Sequence, residues 1–271
     1  MLSLICAAAA AFLTFFVLRM TPFGVQHPYW SVFFGAMAFL LVQLAVMLIL
    51  KRLSGKISVV LQGIMQDTQK QINMKQQQFM RHPLGQKQML AELEHLQNAG
   101  LSRMIAALDL YTPLCRWNLM LAKQVNTMRM CYLYMQKKFD QVDALLPKCL
   151  FIDAESSCMN MARMYVNKAD DKVLDKFYRK KSRALKDEGL ALMVCTYAWI
   201  LVKRERYDDA AKALNEAKLR SKDNPVVIKN WEMLVNGKPK HFSNTQLGDQ
   251  WYALQLETPK MPKMQQTMRY R

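Results

Sequence analysis

Pro28-Tyr29-Trp30-Ser31-Val32-Phe33-Phe34-Gly35-Ala36-Met37-Ala38-Phe39-Leu40-Leu41-Val42-Gln43-Leu44-Ala45-Val46-Met47-Leu48-Ile49-Leu50-Lys51-Arg52 is the stretch around which the chain is organised. From Val32 to Leu50 it carries no charge, and Gln43 is its one polar interruption. A helix needs about 20 such residues to cross the hydrocarbon of a bilayer. Tyr29 and Trp30 at one end and Lys51-Arg52 at the other are side chains that favour the two interfaces of a membrane. The stretch is expected to be a transmembrane helix from which a polar, basic remainder hangs.

Before it, Leu2 to Leu18 is apolar except for Ser3 and Thr14, and Arg19 closes it. A cleaved signal peptide is the competing reading. The segment lacks a basic start and has no small-x-small cleavage site ahead of Arg19, so a first span is expected. The breakers Pro22, Gly24 and Pro28 would turn it into the second. The connecting loop holds only Arg19 and His27, whereas Lys51, Arg52 and Lys56 follow the second span. That asymmetry puts the remainder in the cytoplasm and makes the protein a multi-pass one of a bacterial inner membrane. Cys6, Cys115, Cys131, Cys149, Cys158 and Cys195 form no paired or metal-ligand spacing, which agrees with a reducing compartment.

The 271 residues hold only 9 Gly and 9 Pro, a composition that favours long helices. Their balance of 38 Lys+Arg against 21 Asp+Glu, formally +17, asks for an acidic neighbour: anionic lipid, an acidic protein or nucleic acid. Between residues 53 and 85 a helical stalk is expected. Leu61, Met65, Thr68, Ile72, Lys75 and Phe79 form a heptad-like seam among glutamines, suited either to self-association or to a single helix leaving the membrane. Arg81-His82-Pro83-Leu84-Gly85 is expected to end it.

From Gln86 onward helices alternate with short turns. The expected elements are 86–98, stopped at Asn98-Ala99-Gly100; 101–111, stopped before Pro113; one long or kinked helix over 114–138; then 139–146, 156–167, 170–185, 189–204, 207–221 and 225–235. Short connections make sequential helices antiparallel neighbours. Phe139-Asp140-Gln141-Val142 and Tyr207-Asp208-Asp209-Ala210 stand 68 positions apart, two periods of 34. Tyr207-Asp208-Asp209-Ala210-Ala211-Lys212-Ala213-Leu214-Asn215-Glu216-Ala217 resembles the second helix of a tetratricopeptide (TPR) repeat. Ala198, Ala210 and Ala217 match its small contact positions and Pro225 the proline before the next helix. Position 194 is Val where the family has Trp, and the repeat at 156–186 lacks the expected alanines. The layout of a membrane hairpin followed by such helices is similar to that of HemY-type envelope TPR proteins.

That resemblance implies an all-α fold, an N-terminal transmembrane helical hairpin followed by a TPR-like α-solenoid. The expected division is 1–52 for the two spans, 53–85 for the stalk, 86–237 for the repeats, and 238–271 for a basic cap or tail in which Trp251 and Leu254 share a face. The implied function is a scaffold presenting a concave surface to a protein or peptide. The groove residues of the first helices would be Asn126, Arg129, Arg163 and Asn167. The alternatives are an accessory subunit of a larger membrane complex, with Gly35, Ala36, Ser31 and Gln43 against partner spans, and an anionic-lipid or nucleic-acid module. The last would use Lys176, Arg179, Lys180, Lys181, Arg183 and Lys186, although such charge runs are more often a solvated helix face. No RNA-binding signature accompanies the cluster, so nucleic acid is the less favoured ligand. The Met and aromatic stripe of 114–138 fits a peptide groove or, more simply, core filling. His27, His82, His95 and His241 have no metal spacing, and no phosphate loop or nucleophile motif occurs. No cofactor, no metal and no enzymatic activity are expected.

Overall fold

The computed structural model describes residues 2–22, 26–82 and 85–259, and among these there are helices and turns with no strand. Gly24 in the expected membrane turn, Pro83 and Leu84 after the stalk, and the basic end from residue 260 lie outside the described residues. The chain forms two compact units, Met1–Leu150 and Phe151–Arg271, and the division falls inside the stretch read as one repeat domain.

The first unit opens with α1 (Leu2–Arg19) and α2 (Pro28–Arg81). Both are long and apolar enough to cross a membrane, and only 6% of each apolar window is buried. They are therefore not core helices of the described protein: their large side chains point away from it. What they share is a narrow seam of small residues. Ala7 and Ser31 are buried there, and a Cβ on Gly35 would lie 3.2 Å from the Ala11 carbonyl oxygen. Apolar helices without a water-driven force between them approach through such small residues. Gly35 and Ser31, expected to meet partner spans, are thus used inside the hairpin, and the Gln43 amide donates to the Ser3 carbonyl at 3.2 Å.

α2 does not stop where its apolar run stops. Its 54 residues, about 80 Å at 1.5 Å each, run unbroken from the apolar half through the glutamine-rich stalk. The stalk half packs against α3 (Gln86–Ala107), which folds back along it. The seam departs from the expected one. Met65 is 55% exposed and Ile64 takes its place, joining Leu61 in a core with Met104, Leu108, Tyr111, Leu114 and Val125. The polar Thr68 of the seam explains α3, which runs straight through the stop expected at Gly100. A Cβ there would lie 2.4 Å from Thr68 Cγ2 and 2.5 Å from Oγ1, so glycine is required by close approach of two helices. Lys75–Glu92 and Arg103–Asp67, both 2.7 Å, flank the contact.

The helix expected to be long or kinked over 114–138 is broken at 116–118. α4 (Thr112–Cys115) gives way to a turn at 116–117, and α5 (Leu119–Met135) starts afresh because Asn118 Oδ1 accepts from the Met120 and Leu121 amides at 2.8 and 3.3 Å. Of the Met and aromatic stripe of 114–138, Met130 and Tyr134 are buried, whereas Trp117, Met120 and Met135 are 37%, 56% and 39% exposed. α6 (Phe139–Leu145) closes the unit.

The second unit is built around α9 (Asp187–Lys203), whose residues Leu190 to Leu201 are all buried. Around it lie α7 (Ala154–Val166), α8 (Asp171–Ser182), α10 (Tyr207–Ala217), α11 (Pro225–Val235) and the single turn α12 (Asp249–Tyr252). Asp153, Asp170 and Asn224 cap α7, α8 and α11 through their side-chain oxygens. Ala198, Ala210, Ala213 and Ala217 are buried where α9 and α10 meet. The C-terminal segment folds onto α9 with Trp251 and Leu254 sealed from solvent. Asn244 donates to the Cys195 carbonyl at 2.9 Å, and Glu257 accepts from the indoles of Trp199 and Trp251 at 2.8 and 2.9 Å.

One ending recurs. After α5, α7, α9 and α11, Lys137, Lys168, Glu205 and Gly237 take the left-handed conformation, with φ of 60°, 52°, 59° and 67°. In each case the following amide bonds a carbonyl five residues back: Lys138 to Leu133, Ala169 to Met164, Arg206 to Leu201 and Lys238 to Met233, at 2.8–3.0 Å. This is the Schellman ending, which satisfies the last carbonyls of a helix and turns the chain sharply into the next element.

Candidate functional site

Helix α8 makes the most distinctive surface. Its inner face buries Leu174, Tyr178 and Ser182; its outer face carries Lys172, Lys176, Arg179, Lys180 and Arg183 at successive helical turns. These five cations line a furrow of about 540 Å³ with Asp175 as its one carboxylate. None of the five has an ion-pair partner among the described residues, and Asp175 is already engaged. It accepts from Tyr197 Oη at 2.7 Å and from Arg206 at 3.0 and 3.3 Å. Burial opposes ionisation of Asp175, but the bonds from Arg206 and Tyr197 prevail and hold its carboxyl below its ordinary range. Donation to Asp175 in turn raises the pKa of Arg206, and burial, followed by the Asp175 carboxylate, raises that of Tyr197.

An adjoining groove of about 480 Å³ runs between α8 and α10 over the Tyr197 ring. Its floor is aromatic: the rings of Tyr178 and Tyr197 stack at 3.9 Å and 8°. Its walls place Arg179 and Arg183 opposite Lys212 and Glu216. Arg220 at one end is committed to structure, since it donates to the Ser182, Arg183 and Leu185 carbonyls at 2.6, 3.2 and 3.0 Å. It thereby caps the C-terminus of α8. What remains for a ligand is a cationic, aromatic-floored trough, chemically suited to carboxylates or phosphates.

Of the six cluster residues read from the sequence, Lys176, Arg179, Lys180 and Arg183 share this face and Lys186 is exposed beyond the helix end. Lys181 points elsewhere. It donates to the Phe151 carbonyl, lies 6.0 Å from the Phe151 and Phe177 ring centres, and has its pKa lowered by burial and then by Lys180. It is a packing residue. The expected groove residues are likewise engaged within the chain. Asn126 donates to the Lys148 carbonyl at 3.4 Å, Arg129 pairs with Asp109 at 2.6 Å, and Arg163, only 8% exposed, donates to Asn167 at 3.3 Å. The first two belong to the first unit and the last two to the second.

The sequence reading missed Asp175, Tyr197, Arg206 and Lys212. Asp175 and Arg206 are 31 positions apart, and no local pattern links them. No cluster of metal ligands occurs among the described residues. The buried thiols are poor nucleophiles: burial pushes Cys158 up to about 12 and raises Cys195 as well. None of the six cysteines is in a disulfide. No family model matches the chain, and neither curated proteins nor solved structures give a match.

Proposed function

We propose that the chain is a membrane-tethered scaffold: α1 and the apolar half of α2 form a transmembrane hairpin in a bacterial inner membrane, and TPR-like helical hairpins in the cytoplasm hold a protein partner. The observation that carries this reading is the continuity of α2. One helix includes both the solvent-averse segment and the first layer of the folded domain, so the domain is held at the membrane surface by a rigid rod. The recurrent Schellman endings and the buried alanines of α9 and α10 support the TPR-like part. The trough of α8 and α10 favours an acidic partner segment, with Arg179, Arg183 and Lys212 as contacts and the tyrosine pair as floor.

The test is affinity purification of the full chain in mild detergent with mass-spectrometric identification of co-purifying proteins, beside the variant R179E/R183E. A protein with an acidic segment that is retained by the wild type and lost by the variant supports the reading. Equal recovery on both removes the trough from it. A second reading, an accessory subunit of a larger membrane complex, is favoured by an apolar furrow of about 460 Å³ between α1 and α2, lined by Leu13, Val17, Phe34, Met37 and Leu41. A third helix packed in that furrow would be recovered in both preparations.

A further inference from the structure

The connection between α4 and α5 is tied to the start of α1. Leu2 donates its amide to the Arg116 carbonyl at 3.3 Å, and Ser3 Oγ donates to the Trp117 carbonyl at 2.9 Å. The Ser3 carbonyl in turn accepts from Gln43. The same connection sits beside the last turns of the apolar run: Asn118, Met120, Leu121 and Gln124 share a hollow of about 390 Å³ with Val46, Met47, Leu50, Lys51 and Ser54. Residues 116–120 therefore stand level with the end of the uncharged segment, on the side where its closing Lys51-Arg52 pair lies.

Their chemistry does not suit water. Trp117, Leu119 and Met120 are 37%, 52% and 56% exposed, three large apolar side chains in four positions, and Met120 shares its hollow with Met47, itself 67% exposed. Asn118, the residue between them, spends its side chain on capping α5. Lys51 lines the same hollow as Met120, and Arg52 and Lys123, close to them in the chain, are exposed. An amphipathic tryptophan with aliphatic neighbours and exposed cations nearby in the chain matches the headgroup–acyl boundary of a bilayer: the indole is drawn to that depth and the cations to lipid phosphates.

We propose that Arg116–Met120 is a membrane-contact segment, inserted at the cytoplasmic interface of the bilayer that holds the hairpin, with phospholipid as its partner. It gives the folded domain a second attachment beside α2 and fixes how the first layer of helices meets the membrane. The inference rests on the hairpin being transmembrane.

The test uses the full chain in nanodiscs of phosphatidylcholine, with or without bromine near the headgroup end of the acyl chains. Tryptophan emission of W117F subtracted from that of the wild type isolates Trp117; W30F isolates Trp30 in the same way. The expected result is a blue-shifted Trp117 signal that loses most of its intensity in the brominated discs and little to aqueous iodide. In W117F/L119W the quenched signal should return. If Trp30 is quenched by the brominated lipid while Trp117 and the 119 probe respond only to iodide, the contact segment is wrong and the hairpin stands. If Trp30 is not quenched either, the hairpin itself fails and takes the segment with it.

Discussion

Gly100→Ala tests the packing of α2 on α3, because the two explanations of that glycine differ in what would rescue it. In a helix interior, Ala is better than Gly by about 1 kcal/mol. Here the new Cβ would meet Thr68 Cγ2 at 2.4 Å and Oγ1 at 2.5 Å, and the Thr68 hydroxyl is already bonded to the Ile64 carbonyl at 2.8 Å. Thr68 cannot simply turn away, so the helices must separate, an overpacking cost of about 1–3 kcal/mol. The net effect is a loss of up to about 2 kcal/mol, a fall in Tm of several degrees at about 2–4 °C per kcal/mol. In a Thr68→Ala background the Cγ2 and Oγ1 contacts are gone and the closest approach is Cβ to Cβ at 3.0 Å, so the same glycine replacement should cost markedly less. Thermal unfolding of the four detergent-solubilised proteins by circular dichroism at the helical band measures the cycle. If G100A raises Tm in the wild-type background, Gly100 does not touch Thr68. If it lowers Tm equally in both backgrounds, the glycine ends a helix in a left-handed turn and the packing explanation is refuted.

Trp251→Ala should cost the second unit about 3–5 kcal/mol, because the removed ring is fully buried against α9 and Trp199; an unchanged urea midpoint would mean that the C-terminal segment is not docked. Gly237→Ala should cost about 1 kcal/mol by forcing a Cβ into the left-handed region, a loss readable as a lower Tm. The carboxyl of Asp175 has a folded pKa below its unfolded value of about 3.9. Its contribution is therefore present above pH 4 and lost as the pH falls through the folded value. Asp175→Asn should destabilise the protein at neutral pH and narrow its margin to the wild type in acid, whereas a constant margin would deny the Arg206 and Tyr197 pairing.

The parts of this fold that were legible in the sequence are those written in local periodicity or composition. The uncharged run after Trp30 marked the first half of α2, and the helix expected over 225–235 matches α11. The misread parts each involve a distant partner or a residue of double meaning. Gly100 carries a stop signal in isolation and a contact signal once Thr68 faces it. Lys137, Lys168 and Glu205 adopt the left-handed ending that glycine advertises, but as long charged side chains they advertise nothing. Asn118 did carry a capping signal ahead of Leu119, and the apolar run on both sides concealed it. The cationic face of α8 was visible as composition. Which cations remain free was not, because the commitment of Lys181 to Phe151, and of Asp175 to Arg206, depends on residues about 30 positions away.

The central claim is that one helix leaves the bilayer and enters the folded domain. Labelling with a membrane-impermeant maleimide of large mass tests it most directly, using single added cysteines at Tyr29, exposed at one end of α2, and at Lys87, near the start of α3. The account predicts that, in intact spheroplasts, Tyr29→Cys gains a gel shift over the wild-type pattern and Lys87→Cys gains one only after permeabilisation. Labelling of Lys87→Cys without permeabilisation, or recovery of the protein in the soluble fraction, would contradict it.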